Sequence, residues 1–239
     1  MPKKKSLPEW EQVLSAAAHL QQLLPEAVLV GGTASAVHAA HRRSRDADHV
    51  LTDLKARFDE VLAQLESAAG WKTARVQRPV QILGSLDGIE TGIRQLIREE
   101  PLETTTISYR GQIITLPTKK EILRIKAALI LKRNATRDYL DFVALADQLG
   151  EEQTASALRK LDELYPQPNE ESALLQLQIQ LASPLPYDLE ETKLGEYKNL
   201  ASRWHAWSNV RAACVRCATA VFDCVSPTRK KPTRKKRHG

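Results

Sequence analysis

Asp46 and Asp48, two aspartates separated by one residue, are the side chains in this sequence best suited to hold a metal ion. They follow Arg42 and Ser44 at every second position, so in a β-strand all four side chains would point to one face. The Cα atoms of the two aspartates would lie about 7 Å apart, so both carboxylates could reach one Mg²⁺ ion. Two like charges on one face repel unless a cation lies between them. The alternative is a solvent-facing strand on which Arg42 neutralises Asp46.

The glycine pair Gly31-Gly32 lies shortly before the aspartates and favours a phosphate-binding turn. Residues 27–30 are apolar and predict a short buried strand, and the small residues of 33–40 predict a helix. Backbone N–H groups at a helix N-terminus attract anions, and glycine lets a phosphate come close to the backbone. A glycine pair after a strand is also common in an ordinary tight turn, so the aspartates that follow decide the interpretation.

Lys126, Arg133 and Asp138 are charged residues on the apolar faces of two predicted helices, 118–133 and 136–149. Charged side chains are seldom fully buried without a partner, so we expect Lys126 to bind an anion. Asp138 in turn needs a cation or hydrogen-bond donors. These two could instead neutralise each other as a structural pair, and Arg133, at a helix end, could extend into solvent.

Arg137 and Asp141 lie four residues apart on the opposite side of the second of these helices. This spacing is typical of an exposed salt bridge, which contributes little free energy to folding. We therefore expect the Arg137–Asp141 pair at the surface of the protein.

Taken in order along the chain, these residues resemble the motifs of the AbiEii/AbiGii-type nucleotidyltransferases, many of which are toxins of bacterial type IV toxin–antitoxin systems. The first motif is Gly-Gly-Thr at 31–33 followed by Arg-x-Ser-x-Asp-x-Asp at 42–48. The second, about 80 residues further on, is the Ile-Lys … Arg … Arg-Asp-x-x-Asp pattern within 125–141. Two motifs in the right order are far more specific than either alone, and together they frame roughly residues 27–150.

The resemblance implies an enzyme that moves a nucleotide from an NTP onto an acceptor hydroxyl, which in some members of the family is a tRNA end. It implies one or two Mg²⁺ ions as cofactors and a cognate antitoxin protein as partner. The implied nucleotide-binding residues are Gly31, Gly32, Thr33, Arg42, Ser44 and Arg133. The implied catalytic residues are Asp46, Asp48, Glu90, Lys126 and Asp138, of which Asp46 and Asp48 would bind the metal.

Enzymes of this kind usually add a third metal-binding carboxylate from a neighbouring strand, and this sequence departs from that pattern. Gly92 stands where the acid would align. Glu90, one alternation earlier on the same strand face, is the candidate replacement, and Asp87 is a poorer one. Two alternatives therefore stay open: transfer of a nucleotide onto a protein, and binding of nucleotide or RNA without catalysis.

The elements that must position these residues change type along the chain. Strands mixed with helices precede Pro117, and only helices are predicted after it. This predicts an α+β fold: a nucleotidyltransferase-like mixed sheet flanked by helices over 1–117, then a helical domain completing the active site over 118–225. Further helices are predicted over 8–23, 54–69, 152–164, 170–181 and 203–222, and a strand over 42–51.

From the composition we expect a protein that neither spans a membrane, nor is secreted, nor is fibrous. The chain has 239 residues, 42% of them hydrophobic, but no apolar run of the length that crosses a bilayer. Its three cysteines all lie within 214–224, which suits a reducing cytoplasm.

The positive charge of the chain is concentrated at its two ends. The lysines at 3–5 and the seven basic residues within 229–237 together carry more positive charge than the net charge of +6, so the segment between them is acidic. We expect 226–239 to be a disordered basic tail, either binding RNA or simply solvated.

Overall fold

The structure is a computed structural model, and it describes residues 9–225 of the chain. Its α-helices are α1 Trp10–Leu23, α2 Gly31–Ala39, α3 Phe58–Ser67, α4 Lys119–Arg133, α5 Thr136–Leu149, α6 Glu151–Leu158, α7 Leu161–Leu164, α8 Ala173–Ala182 and α9 Trp207–Val225. Its strands are β1 Val28–Leu29, β2 Asp46–Leu51, β3 Trp71–Gln77, β4 Gln81–Leu86, β5 Ile89–Gln95, β6 Thr104–Tyr109 and β7 Gln112–Pro117. The predicted tail, 226–239, lies outside the described residues.

Five strands form a mixed sheet in the order β1-β2-β5-β4-β3. The neighbouring strands β2 and β5 run parallel, whereas the other neighbours in this sheet are antiparallel. Strands β6 and β7 form a separate antiparallel ribbon. Helices flank the sheet and continue alone after β7, so the predicted α+β fold is confirmed.

The alternation of side chains along β2 turns its two acids to one face of the sheet. Ala47, His49 and Leu51 are buried on the core side, whereas Asp46 and Asp48 are half-buried on the other. The core side is fixed by packing of β2 against α1 and α2. Because a strand's side chains alternate strictly, burying the apolar set leaves the carboxylates facing away from the core.

Two hydrophobic clusters hold the described residues together. The smaller packs α3 against β3, β4 and β5 around Leu54, Phe58 and Ile82. The larger joins residues on both sides of Pro117, from Leu29 in the sheet to Val210 in the last helix. The core is therefore continuous across the predicted boundary at 117, and the division into two domains stays a prediction.

Several element boundaries differ from the sequence-based ones. The strand predicted over 42–51 begins only at Asp46, because the preceding loop carries the Arg42 side chain inward to an acid on α5. The helix predicted over 54–69 begins at Phe58, after a turn in which Asp53 binds Arg57. The helix predicted over 152–164 is divided into α6 and α7.

No helix within 9–225 combines the length and apolar character needed to cross a bilayer.

Candidate active site

The predicted site residues meet at one cleft between the sheet and helices α4 and α5. The cleft has a volume of about 1510 Å³. The predicted residues that line it are Gly31, Gly32, Arg42, Ser44, Asp46, Asp48, Glu90, Lys126 and Arg133. Thr33 and Asp138 are fully buried instead. The Thr33 hydroxyl donates a 2.5 Å hydrogen bond to the backbone carbonyl of Asp46, so it ties helix α2 to the strand that carries the acids.

Asp46 and Asp48 lie next to the glycine turn. A Cβ atom placed on Gly31 would be 3.6 Å from the Cβ of Asp48, so the turn and the acid are in contact. Gly31 has φ +72°, a left-handed conformation that favours glycine. The Ser44 hydroxyl donates a 2.5 Å hydrogen bond to Asp46 Oδ1. The acid pair and the glycine turn therefore form one continuous part of the cleft wall.

The two carboxylates repel each other, and burial strengthens the effect. Burial raises the pKa of the Asp48 carboxyl above its ordinary value, and neighbouring Asp46 raises it further. The cations Arg94, Arg137 and Lys126 act in the opposite direction without cancelling the rise. A cation bound between the two aspartates would relieve this unfavourable charge.

Gly32 makes room for the protein's own side chains. A Cβ atom placed there would be 2.5 Å from Arg42 Nη2 and 2.8 Å from Ser44 Oγ. Any side chain at this position would push the guanidinium and the hydroxyl away from the turn. The absence of a side chain at Gly32 is therefore needed to seat Arg42 against the start of α2.

Asp141 is the partner of that arginine and the most highly connected acid of the site. Arg42 binds it in bidentate fashion, Nε to Oδ1 at 2.7 Å and Nη2 to Oδ2 at 3.0 Å. Lys126 Nζ lies 2.7 Å from Oδ2, and His41 Nε2 lies 2.7 Å from Oδ1. Asp141 is fully buried. Burial alone would raise the pKa of its carboxyl, but Arg42, Lys126 and His41 hold that pKa well below the ordinary value.

The predicted exposed salt bridge between Arg137 and Asp141 is therefore wrong. Helix α2 packs against α5, so the α5 face that carries Asp141 is turned to the interior rather than to solvent. The loop after α2 then places two basic side chains, His41 and Arg42, directly on the carboxylate. Four-residue spacing shows that two side chains are neighbours on a helix, but not which of them faces the core.

Asp138 binds a different cation from the one that the sequence favours. Arg133 donates to both of its carboxylate oxygens, at 2.5 Å and 2.7 Å, whereas Lys126 Nζ is 3.5 Å away. Lys126 is fully buried, and its shorter contact is to Asp141. The anion expected for Lys126 is therefore supplied by the protein, and Lys126 positions that internal acid.

Arg137 is a site residue that sequence reasoning missed. Its side chain is exposed and lines the cleft, and among residues 9–225 it has no ion pair or hydrogen bond. It lies close enough to Asp48 to lower the pKa of that carboxyl. The signal was present in the Arg-Asp-x-x-Asp pattern, but the expected pairing with Asp141 concealed it. Arg137 is thus a cation available to a substrate.

Two short backbone contacts brace the loop that carries Arg42. The N–H of Arg43 donates to the carbonyl of Lys198 at 2.8 Å, and the N–H of Ala201 donates to the carbonyl of His41 at 2.7 Å. Tyr197, directly before Lys198 in the chain, places its ring 5.8 Å from the Arg42 guanidinium carbon. The segment before α9 therefore forms one wall of the cleft, which the sequence motifs do not cover.

The third carboxylate position is filled by packing. Gly92 lies opposite Asp48 in the parallel register, and Glu90 lies opposite Asp46. A Cβ atom on Gly92 would be 2.6 Å from Leu83 Cδ2 and 3.2 Å from Asp48 Oδ1. Glu90 is exposed in the cleft, and within the described part of the chain no three His, Cys, Asp or Glu side chains are grouped as metal ligands. An acid at 92 would require Leu83 to move.

Comparison with curated proteins finds a partial relative. No family profile matches the sequence. Heme uptake protein MmpL11 of Mycobacterium tuberculosis is 29% identical over 234 residues, covering 88% of this chain and 22% of that protein. The chain thus spans about a fifth of the length of the curated relatives that it matches first.

Two solved structures from Helicobacter pylori share the architecture over most of the chain. A candidate nucleotidyltransferase aligns with a TM-score of 0.57 at 13% identity, covering 92% of this chain and 96% of its own. The protein JHP933 aligns with a TM-score of 0.53 at 16% identity, covering 92% of this chain and 94% of its own. The fold is that of a nucleotidyltransferase. At sequence identities of 13% and 16% the structural comparison shows the fold alone, so membership of the AbiEii/AbiGii family stays a prediction.

Asp141→Asn is expected to lower the free energy of unfolding by about 3–5 kcal/mol, because it leaves buried cations without their anion. Since the folded-state pKa of Asp141 is depressed, its contribution is complete above the ordinary aspartate pKa and is lost as the pH falls through the lower folded value. Urea unfolding at neutral and acidic pH measures both effects. The control, Asp53→Asn, removes an exposed partner of Arg57 and should cost less than about 1 kcal/mol. Equal losses in the two variants would contradict the assignment.

Asp48→Asn should have the opposite effect and raise the free energy of unfolding at neutral pH without divalent ions. The raised pKa means that the ionised Asp48 destabilises the folded state. This cost is complete above the raised pKa and disappears below the ordinary value of about 3.9. Thermal unfolding in a chelator, compared at pH 7 and pH 3.5, measures it. A variant less stable than the wild type at pH 7 would show that Asp48 is held favourably.

Proposed function

We propose that the protein is a Mg²⁺-dependent nucleotidyltransferase that moves a nucleotide from an NTP onto an acceptor hydroxyl. The observation that carries this proposal is the pairing of Asp46 and Asp48 on one strand face, in contact with the Gly31 turn. The nucleotidyltransferase fold and the cleft above these residues support it.

The donor set fits a divalent ion. Asp46 and Asp48 offer carboxylate oxygens, the ligands that Mg²⁺ prefers, and their mutual repulsion favours a shared cation. When bound, Mg²⁺ would neutralise charge on the α-phosphate and orient the attacking oxygen. In this reaction the acceptor oxygen forms a bond to the α-phosphorus, and pyrophosphate leaves. Glu90, beside Asp46 in the register, is the group we propose to take the hydroxyl proton.

The charge of the cleft suits a polyanionic substrate. Its wall contains eleven Lys and Arg residues against five Asp and Glu residues, although the chain between its basic ends is acidic. The basic residues are Arg42, Arg43, Arg45, Lys72, Arg94, Lys126, Lys132, Arg133, Arg137, Lys193 and Lys198. Positive charge concentrated in a cleft raises the local concentration of a triphosphate and its rate of binding.

The contacts divide the cations into two roles. Arg42, Lys126 and Arg133 are bound to Asp141 or Asp138, so they position the site. The triphosphate would instead meet the backbone of the glycine turn and the exposed Arg137.

The acceptor and the biological setting follow from the family resemblance, which supports an RNA end as acceptor, an antitoxin partner and a toxin-like role in the cytoplasm. The cleft volume of about 1510 Å³ exceeds the roughly 300–1,000 Å³ of common small-molecule pockets, which leaves room for a second substrate. Transfer onto a protein and binding without transfer are the alternatives that an experiment must separate.

Incubation of the protein with Mg²⁺, each labelled NTP in turn and total tRNA separates these outcomes. We expect label on RNA, and a loss of about 100-fold or more in the Asp46→Ala, Asp48→Ala variant, because metal contacts supply several kcal/mol in the transition state. Asp53→Asn, outside the cleft, should transfer normally. Label on protein or nucleotide retained without transfer would support the respective alternative, and undiminished transfer by the double variant would exclude the mechanism.

Arg137→Ala is expected to weaken binding of Mg²⁺-NTP by about tenfold while changing the melting temperature little, because this exposed cation has no hydrogen bond or ion pair among residues 9–225 to lose. Lys126→Met should instead lower the free energy of unfolding by about 3–5 kcal/mol, because it removes a buried ion-pair partner. Calorimetric titration and thermal unfolding measure the two effects. Arg211→Ala, exposed on α9, is the control. Weaker binding in Lys126→Met alone, with Arg137→Ala unaffected, would reverse the two roles.

A further inference from the structure

On the cleft face of the sheet the side chains lie in three rows that cross the strands. Each row starts at one of the alternate β2 positions 46, 48 and 50. The first row joins Asp46, Glu90, Ser85 and Lys72 across four strands. Paired residues on neighbouring strands direct their side chains to the same face, so each row is a line of neighbours. The site's acids occupy the first row and the start of the second.

The second row has no side chain at the position next to its acid. It runs from Asp48 to Gly92 and then to Leu83. Gly92 contributes no side chain, and Leu83 leans over it so closely that a Cβ atom there would be 2.6 Å from Leu83 Cδ2. A carboxylate cannot reach Asp48 from this row without displacing Leu83, so the row supplies a single acid.

The third row supplies a cation instead. Arg94 lies two residues beyond Gly92 on β5, and its Nη2 is 3.9 Å from Asp48 Oδ1. The Arg94 side chain is 46% exposed and lines the cleft, so its charge faces both the acid and the space above it. Gln81, its neighbour in β4, has its side-chain amide within hydrogen-bonding reach of the same guanidinium. Arg94 therefore reaches Asp48 past Gly92, a position that carries no side chain.

We propose that the Asp46–Asp48 pair binds one divalent ion and that Arg94 supplies the second positive charge of the site, against the reacting phosphate. Two carboxylates with one adjacent arginine provide ligands for a single ion, and the guanidinium charge opposes a second ion on the Asp48 side. A guanidinium can also donate two parallel hydrogen bonds to phosphate oxygens, which a metal-bound carboxylate cannot do. This inference rests on the proposed function, because it assigns the cations of the same site.

The test measures binding of Mn²⁺ alone, by electron paramagnetic resonance, to the full chain and its variants. We expect one Mn²⁺ ion per chain that is lost in Asp46→Asn, Asp48→Asn. Arg94→Gln should keep one ion and bind it about threefold to tenfold more tightly, because a repelling charge beside the acid is gone. Lys72→Gln, a cation of the first row with no ion pair to Asp48, should leave the affinity unchanged.

Transfer activity provides the second readout. Arg94→Gln is expected to transfer more slowly at saturating metal, and Arg94→Lys to recover part of the rate. Tighter metal binding together with slower transfer is a combination that a purely structural role of Arg94 would not produce.

Two outcomes would overturn the inference while leaving the proposed function intact. One is two Mn²⁺ ions per wild-type chain, both lost in the double aspartate variant. The other is an Arg94→Gln variant with unchanged metal affinity and unchanged transfer. By contrast, an absence of any Mn²⁺ binding that depends on Asp46 and Asp48 would refute the proposed function itself.

Discussion

The buried carboxylate of Asp141 is the interaction on which the geometry of the cleft depends. It joins helix α5 to Lys126 of α4 and to His41 and Arg42 of the loop before β2. Arg42 in turn fills the space that Gly32 leaves open, so the glycine turn is seated by the same charge. A buried ion cluster of this kind tolerates no missing member, because each removal leaves an uncompensated charge in the interior. The position of the glycine turn beside the acid pair therefore depends on a carboxylate of α5, which lies on the other side of the cleft.

The charges of the site fall into two groups with opposite effects on folding. Around Asp141 the cations outweigh the cost of burial, and the carboxylate is held ionised. At Asp48 burial and a neighbouring carboxylate outweigh three nearby cations, so the ionised form is disfavoured. Ionisable groups held against their own preference are characteristic of places where a ligand completes the charge balance. The first group builds the scaffold, and the second is where binding energy can be gained.

The sequence was sufficient for the parts of the site that depend on local periodicity. Alternation along 42–48 predicts that Asp46 and Asp48 share a face, since a strand offers no other arrangement. Apolar spacing predicts α4 and α5 almost to their ends. The partners of Asp141 could not be predicted in this way, because they depend on α2 packing against α5, a contact between distant segments. The obstruction at Gly92 is equally non-local, since Leu83 reaches it from the next strand.

The two backbone hydrogen bonds that join the loop at 41–43 to residues 198 and 201 give the later part of the chain a role in supporting the candidate site. A fragment trimmed to the motif-bearing region 27–150 would contain every candidate ligand yet lack these tethers. Its Arg42 loop would lose the segment that packs against it, and the acid pair would have a less rigid support. The unit that supports the candidate site of this chain is therefore larger than the stretch that carries its motifs.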